Sequence, residues 1–418
     1  MRGAGFWRPR RAPGSIVPQI RGELGRAEQK GQSMTEMVHG SAALGRVDPV
    51  LPRWWHTVDR WSIGAVLALF AIGLLLGLAA SVPLAQDKAA SDYFFVMRQA
   101  QFGAVGLAAM LVLSMLPLQL VRRLAVLGFA ASLLAVMLLP IFGTDHGKGA
   151  VRWLQLPGAN VQPSEFLKPA FVVVAAWLIA AADRPHGPAG RTISFGLLAL
   201  VVFLLVNQPD YGQAALLTFA WMVMWFVSGA PLAPILALVA ALGALGAVAY
   251  ASSEHVARRI DGFLSAEIDP TSQIGYATDA IREGGFLGVG IGGGEVKWRL
   301  PDAHTDFVIA VAAEEFGLLL VILVVGLYLA VVLRALLRLL REGDAFARLA
   351  GTGLACAFGV QALINLGVAA RLLPAKGMTL PLISIGGSSL VATCAGLGML
   401  LAFTRTRAQG GIAELMDR

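Results

Sequence analysis

From Trp61 onward the chain consists of long apolar runs separated by polar breaks, all but a few of them short, and few of the runs carry a charge. An α-helix needs about 20 apolar residues to cross about 30 Å of hydrocarbon. By that measure the pattern predicts spans near residues 62–84, 99–118, 124–143, 165–182, 193–208, 212–229, 231–252, 307–333, 350–369 and 379–404. The fifth and sixth are parted only by QPDYG, residues 208–212, where proline and two polar residues favour a turn or a broken helix. The expected fold is an all-α integral membrane protein of about ten transmembrane helices.

Composition agrees with lipid as part of the solvent. Of the 418 residues 57% are hydrophobic and only 14% charged, against roughly 25% charged in a soluble globular protein. The formal charge of +7 resembles a nucleic-acid signal until its distribution is read. Much of the excess lies in the first 60 residues and in short loops: Arg122 and Arg123, Arg184 and Arg191, then Arg334, Arg338, Arg341 and Arg348. Basic short loops mark the cytoplasmic side. An even number of spans then puts both termini in the cytoplasm. Residues 1–55 read as a disordered basic cytoplasmic tail, 56–405 as the membrane domain and 406–418 as a C-terminal tail. Trp54, Trp55 and Trp61 stand where an interfacial aromatic belt is expected.

The opposite side carries the loops 85–98, 144–164, 253–306 and 370–378. The third, between spans seven and eight, is the longest and has nine acidic and five basic residues, unlike the basic loops across the membrane. Long loops often carry function. Cys356 and Cys394 both lie in apolar runs, which argues against a disulfide framework or a cysteine metal site. The six histidines show no ligand spacing.

Three polar groupings interrupt the apolar pattern. In residues 147–171, Glu165 and Lys168 are three apart at the start of a span, so they share a helix face. They form either a self-satisfied interfacial ion pair or, with Arg152, a cationic site for an anionic head group. In the long loop, Gly288, Gly290 and Gly293 match GxGxxG, but no parallel strand precedes them. These glycines instead let backbone approach a ligand or the membrane surface closely. Lys297, Trp298 and Arg299 follow as an interfacial cation–aromatic cluster. The third grouping is Asp306 at the mouth of span eight, with Glu314 and Glu315 inside that span and His304 beside it. Intramembrane carboxylates usually face a polar cavity or a cation. Asp306 reads either as a helix N-cap, a role Thr305 could also fill, or as a catalytic base. The helix N-terminus favours its charged form and desolvation opposes it.

Four stretches together resemble the SEDS family (shape, elongation, division and sporulation), the FtsW/RodA group, over about residues 55–405. They are RWLQLPGANVQPSEFLKPAF, NQPDYGQA, FLGVGIGGGEVKWRLPDAHTDFVIAVAAEEFG and LLPAKGMTLPLISIGGSSL. The last is closer to the division branch than to the elongation branch. The resemblance implies a peptidoglycan glycosyltransferase of the bacterial inner membrane, active at the septum, that polymerises lipid II into β-1,4 glycan strands. Asp306 would be its general base and undecaprenyl pyrophosphate the leaving group. It places Arg152, Gln162, Ser164, Glu165 and Lys168 in a substrate-binding polar cavity. Gln273 matches a glutamine of the family's long outer loop. Lys297 and His304 are further candidates for the substrate side, and Asp210, Glu314 and Glu315 for supporting intramembrane polar residues. A divalent cation, Mg or Mn, could assist at the pyrophosphate, although no ligand set in the sequence demands one. The implied partners are a class B penicillin-binding transpeptidase (FtsI-like), other division proteins and membrane lipids, and no nucleic acid. A lipid II flippase, a non-catalytic division scaffold and an elongation-type polymerase are the alternatives. The sequence departs from the family pattern at Val151, Ala277 and Ile385, where an arginine, a serine and a tyrosine are usual.

Overall fold

A computed structural model describes residues 50–406 apart from 88–90, 92, 146–150, 157–158, 253, 265–271, 301–302 and 375–376. The tails expected over 1–55 and 406–418 lie outside the described residues except at 50–55 and 406. The chain divides into two units, Met1–Arg53 and Trp54–Arg418. The second is the helical body.

Helix α1 (Val50–Thr57) precedes α2 (Arg60–Asp87), α3 (Phe94–Met115) and α4 (Leu118–Phe142). Three short strands follow: β1 (Thr144–Asp145), β2 (Val151–Leu156) and β3 (Ala159–Val161). Next come α5 (Pro163–Ala181), α6 (Gly190–Asn207), α7 (Tyr211–Val227) and α8 (Ala233–Ser252). The long loop holds α9 (Glu254–Leu264), α10 (Gln273–Gly284) and a 3-10 turn at Val296–Trp298. The body closes with α11 (Val308–Leu339), α12 (Ala345–Ala369) and α13 (Gly387–Phe403). Among the described residues, eight helices are long and apolar enough to cross a membrane. The apolar helices α7 and α13, 17 residues each, stand where the sixth and tenth spans are expected.

Helix α5 is the centre of the body. Apart from Phe166, Pro169 and Trp177, all its residues are buried, and α4, α6, α7, α12 and α13 pack around it. Its apolar residues therefore face protein on every side, which is why its run shows no amphipathic stripe. The outer helices α3, α4 and α6 bury one narrow face each and expose Leu, Val and Phe on the other. In a chain this apolar, such exposed faces are lipid-facing.

Four features differ from expectation. The loop 144–164 contains a small antiparallel sheet in the order β1-β2-β3, with Leu154 opposite Val161 and Thr144 opposite Trp153. The tenth span begins at Gly387 rather than 379, because 377–386 is a non-helical segment whose residues 380–384 are buried. Non-helical backbone at membrane depth survives only where protein satisfies its polar groups. Trp54 is buried rather than interfacial and donates its indole N–H to Ser114 Oγ at 3.0 Å, leaving Trp55 and Trp61 exposed. Finally, α11 breaks at Gly317, where φ is +76°. A Cβ there would collide with the Phe286 carbonyl, so glycine is required twice over, for the dihedral and for the close approach of the long loop.

Candidate active site

The Asp306 turn is built from residues 303–307, which precede α11. Phe307 occupies the N-cap position and makes no side-chain cap, so Asp306 is not the helix cap. Three hydrogen bonds fix the turn's backbone. Ser384 Oγ donates to the Thr305 carbonyl, Ile385 N–H donates to the His304 carbonyl at 3.1 Å, and Asn365 Nδ2 donates to the Asp306 carbonyl at 2.9 Å. Ala303 and Phe307 are buried on either side, while the Asp306 side chain is half-buried. Its Oδ2 faces Gly377, where an added Cβ would lie 3.6 Å away. The His304 ring stands 6.5 Å from the Phe95 ring, centroid to centroid.

The second half of the site sits at the start of α5. Lys168 Nζ lies 2.8 Å from Glu165 Oε2 and donates to Gln361 Oε1 at 2.9 Å. Gln213 Nε2 donates to the other Glu165 oxygen at 2.6 Å. Pro169 has no N–H, so the Glu165 carbonyl loses its i+4 donor at this turn. Arg152, on β2, donates to the Gln208 and Pro209 carbonyls at 2.8 and 2.7 Å and so holds the turn before α7. That turn presents Asp210, buried at 5% exposure. Burial pushes the Asp210 carboxyl above its ordinary range, the Arg152 charge pulls it back, and Glu165 adds to the rise.

Two amides on α12, one turn apart, join the halves. Gln361 binds Lys168 with its oxygen and the Thr379 carbonyl with its nitrogen, at 3.0 Å. Asn365 bridges the carbonyls of Asp306 and Met378. The run from Glu165 through Lys168, Gln361, Thr379, Met378 and Asn365 to Asp306 is continuous. The 377–386 segment is further held by Thr379 and Ser389 hydroxyls 2.8 Å apart and by Tyr328, whose hydroxyl donates to the Pro381 carbonyl. The sequence reading missed Gln213, Gln361 and Asn365. For Gln361 and Asn365 the signal was present, since amides at positions i and i+4 in an apolar span need partners.

The remaining expected residues are distributed more widely. Ser164 is buried beside Glu165. Gln162 is half-buried, and it is its backbone N–H that donates to Ser388 Oγ, at 3.2 Å. Gln273 is exposed as the first residue of α10. Lys297 is buried with its ammonium 2.5 Å from Glu315 Oε1, an ion pair between the long loop and α11. Glu314 Oε1 accepts from the Glu295 and Val296 N–H groups at 2.7 and 2.9 Å, and Glu315 Oε2 from Gly292 at 3.1 Å. These two carboxylates therefore clamp the glycine-rich loop to α11. Ala277 is buried in α10, and Ile385 lies in the 377–386 segment. Among the described residues no group of three or more His, Cys, Asp or Glu side chains could hold a metal ion.

The geometry can be set beside known proteins. The curated FtsW of Caulobacter vibrioides, a probable peptidoglycan glycosyltransferase, is 41% identical over 367 residues, 87% of this chain and 94% of that one. Its counterpart in Halorhodospira halophila is 36% identical over 85% and 94% of the two chains. Among solved structures, a chain from a peptidoglycan synthase complex that coordinates polymerization and crosslinking superposes with a TM-score of 0.69 at 31% identity, over 83% of this chain and 97% of that one. The rod shape determining protein RodA of Thermus thermophilus gives 0.60 at 29% identity, over 84% and 97%. The FtsW/RodA/SpoVE family model, described as a cell cycle protein, matches residues 60–409. A multi-pass helical body, four matching motifs and a family match across most of the chain lead to one conclusion: this protein belongs to the FtsW/RodA/SpoVE family.

Proposed function

We propose that the protein is a peptidoglycan glycosyltransferase that polymerises lipid II at the outer face of the cytoplasmic membrane during cell division. The observation that carries this reading is the frame that ties the Asp306 backbone carbonyl, through Asn365, the 378–379 backbone and Gln361, to the Lys168 ammonium, so that one set of contacts positions the turn bearing a carboxylate and a buried cation. The relatives' activity supports the reaction type.

In the mechanism proposed, the Asp306 carboxylate takes the proton of the acceptor sugar's 4-hydroxyl. That oxygen attacks C1 of the donor sugar as the bond from C1 to the pyrophosphate oxygen breaks. Attack opposite the leaving group inverts C1, so an α-linked donor gives a β-1,4 bond. Undecaprenyl pyrophosphate departs as an anion and needs no strong acid. Lys168 has three N–H donors, and Glu165 and Gln361 take two. The third can reach a pyrophosphate oxygen, where a fixed cation in a dry site stabilises developing charge. Arg152 and Asp210 shape the wall behind it.

A divalent cation at the pyrophosphate would follow the usual Mg²⁺ arrangement of one or two carboxylates plus substrate phosphates. Chelation with EDTA and re-addition of Mg²⁺ or Mn²⁺ tests that role. The proposed partner is a class B transpeptidase at the septum that cross-links the emerging strand. Vesicles carrying the purified protein, that transpeptidase and labelled lipid II separate the function classes. A ladder of glycan products is the expected result. Translocated but unpolymerised lipid II would replace this reading with a flippase, and neither product, with the partner bound, would replace it with a scaffold.

A further inference from the structure

A polar cavity away from the Asp306 site lies where α4 begins, α5 ends and α12 begins, at the end of the bundle that carries the arginine clusters. Its volume is about 150 Å³. Arg122, Arg184, Gln119 and Asp344 supply its polar wall, and Trp177 and Phe346 part of its apolar wall.

The described lining of this cavity carries more positive than negative charge. Arg122 stands 5.3 Å from the centroid of the Trp177 ring, and neither it nor Arg184 has a carboxylate within ion-pair distance among the described residues. Other arginines at this end are paired: Arg191 with Asp183 at 2.6 Å, and Arg334 with Asp59 at 2.9 Å. The cavity's one acid, Asp344, uses Oδ1 to cap α12 by accepting from Ala347 N–H at 3.0 Å. Two guanidiniums thus line the cavity with a single carboxylate, an excess of one positive charge. Arginine presents a planar fork matched to phosphate oxygens. Basic pockets between membrane helices on the cytoplasmic side are suited to anionic lipid head groups.

We infer that this cavity binds the phosphodiester head group of an anionic phospholipid from the cytoplasmic leaflet. Arg122 and Arg184 take the phosphate oxygens, and Gln119 donates to the glycerol region. The indole of Trp177 lies at the interface, and Leu118, Ala180 and Phe346 meet the glycerol backbone and first methylenes. The apolar wall favours a lipid over a soluble anion. Bound there, the lipid joins α4, α5 and α12, the last two of which carry Lys168 and Gln361 at their far ends.

The test uses the full chain in detergent, with binding followed by native mass spectrometry and thermal unfolding. The probes are short-chain phosphatidylglycerol, phosphatidylcholine of the same chain length, and inorganic phosphate. The wild type should bind phosphatidylglycerol and unfold at a higher temperature with it, and the other two probes should leave it unchanged. In Arg122→Gln/Arg184→Gln the affinity should fall at least about tenfold, since each charge-assisted contact is among the stronger hydrogen bonds. Arg122→Lys/Arg184→Lys, which keeps the charge and loses the fork, should fall between the two and serves in place of the glutamine variant if that fails to fold. Equal binding of phosphatidylglycerol by wild type and both variants would overturn the proposal. So would equal protection by phosphatidylcholine, or protection by phosphate alone, which would make this a soluble-anion site. Phosphatidylglycerol binding that appears only after removal of residues 407–418, whose acids include Glu414 and Asp417, would assign the cavity to that segment instead.

Discussion

Asn365 donates its side-chain amide to the backbone carbonyl of Asp306 at 2.9 Å and to that of Met378 at 2.7 Å. One buried amide therefore holds the proposed base's turn against the segment that also meets Gln361. Asn365→Leu should keep the fold and lower polymerisation by about 10–100-fold, because misplacing a reacting group by about 1 Å can cost 10²-fold. Asn365→Asp cannot donate when ionised and should be no better. The check is the rate of glycan formation at several lipid II concentrations, where kcat should fall more than KM rises.

Glu165 and Lys168 are both buried and in contact, so removing one leaves the other uncompensated. Breaking a buried pair typically costs roughly 3–5 kcal/mol, while replacing both partners with apolar groups is often neutral. Lys168→Met should lower the unfolding temperature markedly, and Glu165→Leu/Lys168→Met should recover most of it. Neither variant should polymerise lipid II, since both lack the cation. Thermal unfolding and glycan formation measured on the same preparations separate the two effects.

The long loop is held to α11 by backbone proximity as much as by charge. Gly288 has φ +80°, and a Cβ there would collide with the Glu315 carbonyl, whereas Gly290 has φ +101° and open space around it. A non-glycine residue at such dihedrals costs of order 1–3 kcal/mol. Gly290→Ala should show that strain alone. Gly288→Ala should be clearly less stable, and unfolding temperatures of the two variants provide the comparison.

At the arginine-rich end, Asp59 accepts from Arg334 Nε and Nη2 at 3.0 and 2.9 Å, and from Ser62 Oγ at 2.9 Å. Burial alone would raise this carboxyl, but hydrogen bonds from Arg334 and Ser62 and the charges of Arg338 and Arg334 outweigh it and hold it below the ordinary 3.8. A lowered carboxyl stabilises the fold fully above its unfolded value and loses that contribution as pH falls through its folded value. The loss therefore lies below pH 3.8. Unfolding followed from pH 6 to pH 3 should show acid destabilisation in the wild type, and a flatter profile from a lower starting stability in Asp59→Asn.

Most of the framework was legible in the sequence because lipid imposes length and apolarity on every span. The Glu165–Lys168 pair was legible from its i,i+3 spacing, and Asp306 from its place at the mouth of a span. The tenth span was overextended because LPLISIGG is as apolar as a helix, although its backbone is a buried loop tied to Thr305 and His304. The strands were missed because three-residue pairings leave little period to read. The Lys297–Glu315 pair was not legible because nothing local marks Glu315, 18 residues later, as the partner.

The account rests on Asp306 as the base, and the direct measurement is polymerisation of labelled lipid II by purified wild type and Asp306→Asn, each with its transpeptidase partner. Asparagine keeps the shape and cannot take the proton, and general-base catalysis contributes about 10²–10⁴-fold. The wild type should give a glycan ladder and the variant a rate at least about 10²-fold lower, with partner binding intact. Equal ladders from both would contradict this and remove Asp306 from the chemistry.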